Sequence, residues 1–241
     1  RSLEGQALNR RAHDDDLGRA RGSAELVEEG VDTLGGIDKP EPSALAESLA
    51  GLDPGSVKLP NGPRVSIQSA AFIAGTAACW DEACEGLPRA HGRPGLHSFA
   101  AALPLGLAGG HTLGETLRSL VAGFEVAGRL GECLRIRPGM HDDGTWGTFG
   151  ALMVAAHLGG LTAKEIISAL QGAACHLPFS LYLPIRQGTT VRNTTVRNTY
   201  VREATRRGIN AVLASRAGIY GLFGALEAFD AVSYTHLRAH E

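Results

Sequence analysis

The chain has 241 residues, with 23 Lys and Arg against 25 Asp and Glu residues and a net charge of -2. This balance provides no overall positive field for nucleic acid, and a hydrophobic content of 44% with 20% charged residues argues against a disordered chain. The longest apolar run, residues 98–110, is too short to cross a bilayer and contains Pro104. These features exclude a nucleic-acid binder and a membrane-spanning protein and predict a soluble globular domain.

The composition also predicts how the core is built. Glycine occurs 32 times, whereas aromatic residues make up only 5% of the chain. A core so poor in rings requires helices that approach closely through Ala and Gly. The four cysteines follow no disulfide pattern and no signal peptide precedes them, which predicts reduced thiols and a cytoplasmic protein.

Three segments are expected along the chain. Residues 1–16 are polar and are expected to form a frayed end, residues 17–232 a helical domain, and residues 233–241 a non-native tail that resembles translated adapter sequence. Residues 189–193 are repeated without change as residues 194–198, which is typical of a duplication error rather than of a structural repeat. Since the first residue is not Met, we expect a fragment of a longer protein.

The local patterns predict a mostly α fold with one short β-hairpin near residues 57–67. Asn61-Gly62 separates two short apolar runs, which is a strong hairpin signal. Capping boxes at Thr112-x-x-Glu115 and Thr162-x-x-Glu165 each predict the start of a helix. The predicted helices cover residues 17–31 (weakly), 43–52, 68–80, 98–109, 112–134, 147–158, 162–175, 200–217 and 219–229.

A first polar cluster follows the small-residue helix over residues 68–80. Its members are Cys79, Asp81, Glu82, Cys84, Glu85, Arg89, His91, Arg93 and His97. Three interpretations remain open: a metal site at Cys79, Cys84, His91 and His97, a pocket for an anionic substrate, and a solvated helix end. The cysteine and histidine spacing matches no standard zinc motif, which weakens the first interpretation.

A second cluster surrounds His141 in the glycine-rich segment 139–147. A helix N-terminus can hold an anion, and a histidine beside it can transfer a proton near neutral pH. The alternative is a helix entry capped by Asp143 or Thr145, with His141 in solvent. A third group consists of arginines at positions 192, 197, 202, 206 and 207, which form either a carboxylate-binding patch or a solvated basic face.

Four segments together carry a resemblance to a known family. They are residues 32–35 (DTLG), residues 71–78 (AFIAGTAA), the acidic run that starts at Asp81, and Gly139-Met140-His141 leading into Gly147. Their order and spacing over about residues 20–230 resemble a divergent branch of the MmgE/PrpD family. Members of that family include 2-methylcitrate dehydratase, cis-aconitate decarboxylase and iminodisuccinate epimerase.

The resemblance implies a cofactor-free enzyme that removes a proton next to a carboxylate in small di- or tricarboxylic acids. It also implies a helical domain that forms a homodimer and a smaller α+β lid domain, which is largely absent from this chain. We therefore expect a lyase or isomerase, similar to 2-methylcitrate dehydratase, with a small polycarboxylate as substrate. The alternative is a non-catalytic helical module for dimerisation or carboxylate binding.

The catalytic residues implied by the resemblance are His141 as the proton-transfer residue and Glu82 and Asp81, which would orient the histidine or the substrate. Arg93 stands where the family has a second histidine, for which His91 and His97 are the alternatives. The family's lysine before the late helix corresponds to Arg192 or Arg197. The expected substrate-binding residues are Arg93, His91, His97, Arg192, Arg197 and Thr145. Two departures weaken a catalytic interpretation, because arginine is no base at neutral pH and Gly86 replaces the family's threonine.

Overall fold

A computed structural model describes residues 33, 35–134, 136, 138–180, 196–221 and 223–228. The predicted frayed end, the weak helical pattern over residues 17–31 and the proposed non-native tail all lie outside these ranges. Arg192 also lies outside them, as does the first copy of the tandem repeat.

Helices dominate the described residues, which confirms the mostly α prediction. The helices are α1 (Pro40–Leu52), α2 (Ile67–Ala78), α3 (Pro94–Gly109), α4 (Leu113–Cys133), α5 (Asp143–Leu158), α6 (Ala163–Ala174) and α7 (Val201–Arg216), with short 3-10 helices at Pro88–Ala90 and Val196–Thr199. Strands β1 (Val57–Lys58) and β2 (Arg64–Val65) form the predicted antiparallel hairpin, in which Val57 pairs with Val65.

Helix α5 occupies the centre of the domain, where it packs against α3, α4 and α7. Its sequence has small or apolar residues on every side, as expected of a helix surrounded by others. Trp146, Phe149, Leu152 and Val154 of α5 are fully buried. The start of α5 is therefore held in the interior, a position that matters for the site described below.

Glycines permit the close approach of these helices, as the composition predicted. A Cβ placed on Gly208 of α7 would lie 2.5 Å from the carbonyl oxygen of Thr148 in α5. A Cβ on Gly123 of α4 would lie 2.8 Å from the carbonyl oxygen of Gly150. Both contacts are with backbone, so the neighbouring helix cannot relax by moving a side chain.

Both predicted capping boxes are confirmed. Thr112 and Thr162 cap α4 and α6, each with both hydrogen bonds of a capping box. Ser66 caps α2, where its hydroxyl accepts a hydrogen bond from the backbone N–H of Ser69 at 3.1 Å.

Several predicted boundaries were wrong; the start of α1, for example, is Pro40 rather than residue 43. Helix α3 begins at Pro94 rather than at residue 98, because proline at the first helical position lacks only an N–H that would be unpaired there. Helix α5 begins at Asp143 rather than at Gly147, because side chains from distant segments hold its first turn. Residues 219–221 are not helical, since Gly221 packs against the backbone of Gly172 in α6.

Candidate active site

Asp143 is the first residue of α5 and its side chain is only 2% exposed. Its Oδ2 accepts hydrogen bonds from the backbone N–H of Arg93 at 3.1 Å and from the hydroxyl of Tyr200 at 3.2 Å, and Nε of Arg93 lies 3.5 Å away. Burial alone would raise the pKa of Asp143, but the hydrogen bond from His141 and nearby cationic side chains hold it well below its ordinary value. Asp143 is therefore a buried carboxylate at neutral pH.

The imidazole of His141 pairs with the other oxygen of this carboxylate. Nδ1 of His141 lies 2.5 Å from Oδ1 of Asp143, and the histidine side chain is 8% exposed. An ionised carboxylate only accepts hydrogen bonds, so the proton at this contact belongs to Nδ1. The pair therefore fixes the orientation and the tautomer of the ring, as a carboxylate does for a histidine base.

The backbone of His141 is held from two sides. Its N–H donates to the carbonyl of Ser180 at 2.8 Å. The hydroxyl of Thr145 is fully buried and donates to the carbonyl oxygens of His141 at 3.3 Å and Pro178 at 3.1 Å. Thr145 thus orders the histidine loop from inside the domain, and His141 is buried there rather than exposed as the capped-entry alternative required.

Tyr200, which lies just before α7, contacts both members of this pair. Its ring stacks on the imidazole of His141, with the centroids 4.0 Å apart and an angle of 24° between the planes. Burial, followed by the charge of Asp143, raises the pKa of Tyr200 well above its ordinary value, so the phenol remains a donor. The sequence pattern predicted only a helix start at Tyr200 and only a cap at Asp143. The signal in the sequence that could have indicated the pair is the position of Asp143, two residues after the candidate histidine His141.

Arg93 and Glu82 extend the cluster beyond the pair of His141 and Asp143. Nη1 of Arg93 lies 3.2 Å from Oε2 of Glu82, so the guanidinium contacts two carboxylates, those of Glu82 and Asp143. Glu82 adopts a left-handed backbone conformation with φ of 57°, which is unusual for a residue with a side chain. The thiol of Cys79 donates to Oε1 of Glu82 at 3.4 Å. A hydrogen bond with Cys84, together with burial, raises the pKa of the Cys79 thiol well above its ordinary value.

His97 packs against Tyr200 and is completely buried. Its ring meets that of Tyr200 edge-on, with the centroids 5.6 Å apart, and neither of its ring nitrogens has a hydrogen-bond partner among the described residues. Burial lowers the pKa of His97 to about 4, so the ring is neutral at neutral pH. His97 therefore packs against Tyr200 as an uncharged ring.

Two other expected site residues, Asp81 and His91, are exposed. Nζ of Lys39 lies 3.1 Å from the carboxylate of Asp81, which is 54% exposed. His91 is exposed and ends the short 3-10 helix with a φ of 55°. Arg197 is described only as a backbone position in the second 3-10 helix. Asn198 beside it is buried, and its side-chain amide donates to the carbonyl of Trp80 at 3.0 Å.

The metal interpretation finds no support in the described part of the chain. No group of three or more His, Cys, Asp or Glu side chains there is arranged to hold a metal ion. The thiol of Cys84 donates to the carbonyl of Ala78 at 3.1 Å.

The fold and the cluster define a helical domain with a buried histidine–carboxylate pair at the start of its central helix. A family model, described as the MmgE/PrpD N-terminal domain, matches residues 31–238. The chain therefore belongs to the MmgE/PrpD family, which includes dehydratases that act on carboxylic acids, and the resemblance seen in the sequence is confirmed.

A search of the curated proteins finds no significant match to the chain. Within the described ranges, no helix is both long and apolar enough to cross a membrane.

Proposed function

We propose that this chain is the helical domain of a lyase or isomerase that removes a proton next to a carboxylate in a small di- or tricarboxylic acid. The observation that carries the proposal is the buried pair of His141 and Asp143, whose Nδ1 and Oδ1 atoms are 2.5 Å apart. Family membership supports the class of substrate, since the family includes dehydratases of carboxylic acids.

In the proposed mechanism, His141 is the base. Because the proton on Nδ1 is held by Asp143, the substrate proton is taken by Nε2. The resulting imidazolium is stabilised by the adjacent carboxylate, which remains ionised because its pKa is held low. The carbanion then expels a neighbouring hydroxyl group, which leaves as water with the proton now held by His141, or it takes that proton back at carbon. If carbon dioxide is lost instead, the electron pair of the broken C–C bond takes a proton from protonated His141. The proposed reaction needs no cofactor.

Cationic side chains must offset the charge of the substrate. Arg93 contacts both Asp143 and Glu82, so in this proposal it positions those carboxylates as well as facing the substrate. Arg192 and Arg197 are proposed as further carboxylate-binding residues, because one or the other corresponds to the family's lysine. Glu82 is proposed to orient Arg93, and a homodimer in the cytoplasm remains our expectation for the assembly.

One observation favours a second candidate, a non-catalytic module that binds carboxylates. Arg93 occupies the position of the family's second histidine, and arginine binds carboxylates well but cannot act as a base at neutral pH. Such a module would bind a polycarboxylate without exchanging its protons.

Proton NMR in heavy water separates the two candidates. The 241-residue chain is incubated with malate, citrate, cis-aconitate and aspartate, and entry of deuterium next to a carboxylate is followed. His141→Gln and Asp143→Asn are compared with His157→Gln, which alters an exposed histidine at the far end of α5.

The enzyme proposal predicts exchange that disappears in His141→Gln and persists in His157→Gln. Saturable binding without exchange of any acid would instead support the binding module. Absence of both binding and exchange would contradict both candidates.

A further inference from the structure

A cavity of about 360 Å³ lies on another part of the domain, between α6, α7 and the segment 219–221. None of the described residues around it belongs to the His141 cluster. Cavities of roughly 300–1,000 Å³ are typical of small-molecule sites. The size of this cavity therefore permits a ligand of its own.

The cavity is lined by cationic and neutral side chains. Arg206, Arg207 and Asn210 of α7 and His176 after α6 supply the polar part of the lining, and no acidic side chain of the described residues contributes to it. Oε2 of Glu203 lies 2.7 Å from Nη2 of Arg206. In the described part of the chain, Arg207 has no ion-pair partner.

The arginines are also incompletely hydrogen-bonded. The Nε atoms of Arg206 and Arg207 are buried and have no hydrogen-bond partner within the described ranges. A buried N–H without an acceptor is unfavourable, and carboxylate and phosphate oxygens are the acceptors that best fit a guanidinium. The two arginines that line the cavity therefore carry Nε donors for which the described residues supply no acceptor.

The rest of the wall is apolar. Ala211 and Ala214 follow Arg207 along the same face of α7, because residues three or four apart share one side of a helix. Ile219 and Tyr220 face them from the segment after α7 and are 67% and 70% exposed. A ligand with an apolar or aromatic body would cover part of these side chains.

We propose that this cavity is a second ligand site, distinct from the His141 cluster, for a small organic anion. The oxyanion binds Arg207, with Arg206 beside it, and the apolar body contacts Ala211, Ile219 and Tyr220. Carboxylates and phosphate monoesters share this chemistry, so both are used as probes.

Isothermal titration of the 241-residue chain with benzoate and phenyl phosphate tests the proposal, with acetate and inorganic phosphate as probes that lack the ring. We expect saturable binding of at least one ring-bearing probe, at least about tenfold tighter than its ringless counterpart. Arg207→Gln is expected to weaken binding at least about tenfold. Arg202→Gln, on the same helix but outside the cavity, is the matched control and should leave the affinity unchanged.

Two more variants test the cavity without altering Arg207. Ala214→Leu narrows the cavity without changing its charge and is expected to reduce binding, even if Arg207→Gln does not fold. His141→Gln should leave binding unchanged, which distinguishes the cavity from the proposed active site. Absence of saturable binding, or equal binding by Arg207→Gln, Ala214→Leu and the unaltered chain, would overturn the proposal.

Discussion

The ring of Tyr200 lies on the imidazole of His141, with the centroids 4.0 Å apart, so two elements far apart in sequence share one aromatic contact. The hydroxyl of the same tyrosine donates to Asp143, the partner of that histidine, at 3.2 Å. One side chain thereby fixes the position of the imidazole and satisfies the carboxylate that orients it. The geometry of the pair consequently depends on the docking of α7 against α5.

The first prediction concerns this hydroxyl. Tyr200→Phe keeps the stacked ring but removes a donor from a buried carboxylate, and it is expected to lower the free energy of unfolding by about 2 kcal/mol. Urea denaturation measures the change. Tyr220→Phe removes an exposed hydroxyl and should change the stability by less than about 0.5 kcal/mol. Equal effects at the two positions would show that the bond to Asp143 contributes nothing.

The second prediction distinguishes the two adjacent acidic residues that the sequence placed in the site. Glu82→Gln removes one of the two carboxylates that contact the guanidinium of Arg93 and should lower the unfolding free energy by about 1 kcal/mol. Asp81→Asn removes only an exposed pair with Lys39 and should change it by less than about 0.5 kcal/mol. Thermal unfolding of both variants measures the difference. A larger loss in Asp81→Asn would contradict the placement of Glu82 in the cluster.

How well the sequence predicted a feature depends on how far apart along the chain the residues that determine it lie. The capping boxes at Thr112 and Thr162 and the Asn61-Gly62 turn are local, since each signal lies within a few residues of the structure that it creates. The start of α5 at Asp143 could not be located in this way. Its first turn depends on contacts with Arg93 and Tyr200, which are 50 and 57 residues away along the chain.

The candidate site likewise contains residues that the sequence indicated and one, Tyr200, whose role it did not indicate. The sequence indicated His141, Glu82 and Arg93 through the resemblance to a family, and the structure brings these three into one cluster. It did not indicate the role of Tyr200, because a single tyrosine before a helix has no pattern that marks a functional residue. That role arises only from tertiary packing.

The third prediction tests the close approach of α7 and α5. Gly208→Ala places a methyl group 2.5 Å from the carbonyl oxygen of Thr148, so one helix must move, and we expect a loss of about 2 kcal/mol or more in unfolding free energy. Gly114→Ala, in the first turn of α4, meets its nearest atom at 3.6 Å. Because alanine favours helix, this control should be neutral or stabilising by up to about 1 kcal/mol. Comparable losses in both variants would contradict the tight helix contact.

The last prediction follows from the burial of His97. Burial lowers the pKa of this imidazole to about 4, whereas an unfolded histidine titrates near pH 6.5. Between these values the unfolded chain binds more protons than the folded domain, so the unfolding free energy must decrease as the pH falls. The contribution of His97 is complete above about pH 6.5 and is lost by up to about 1.4 kcal/mol per pH unit towards pH 4.

Replacement of His97 by phenylalanine keeps a ring against Tyr200 but removes the titration. Denaturant unfolding at several pH values between 4 and 7 should therefore give a shallower slope for His97→Phe than for the unaltered chain. His157→Phe, at an exposed histidine on α5, is the matched control and should leave the slope unchanged. Asp143 and Arg93 are present in all three proteins, so the difference in slope reports on His97 itself. Identical slopes for His97→Phe and the unaltered chain would show that this imidazole is protonated as readily in the folded domain as in the unfolded chain.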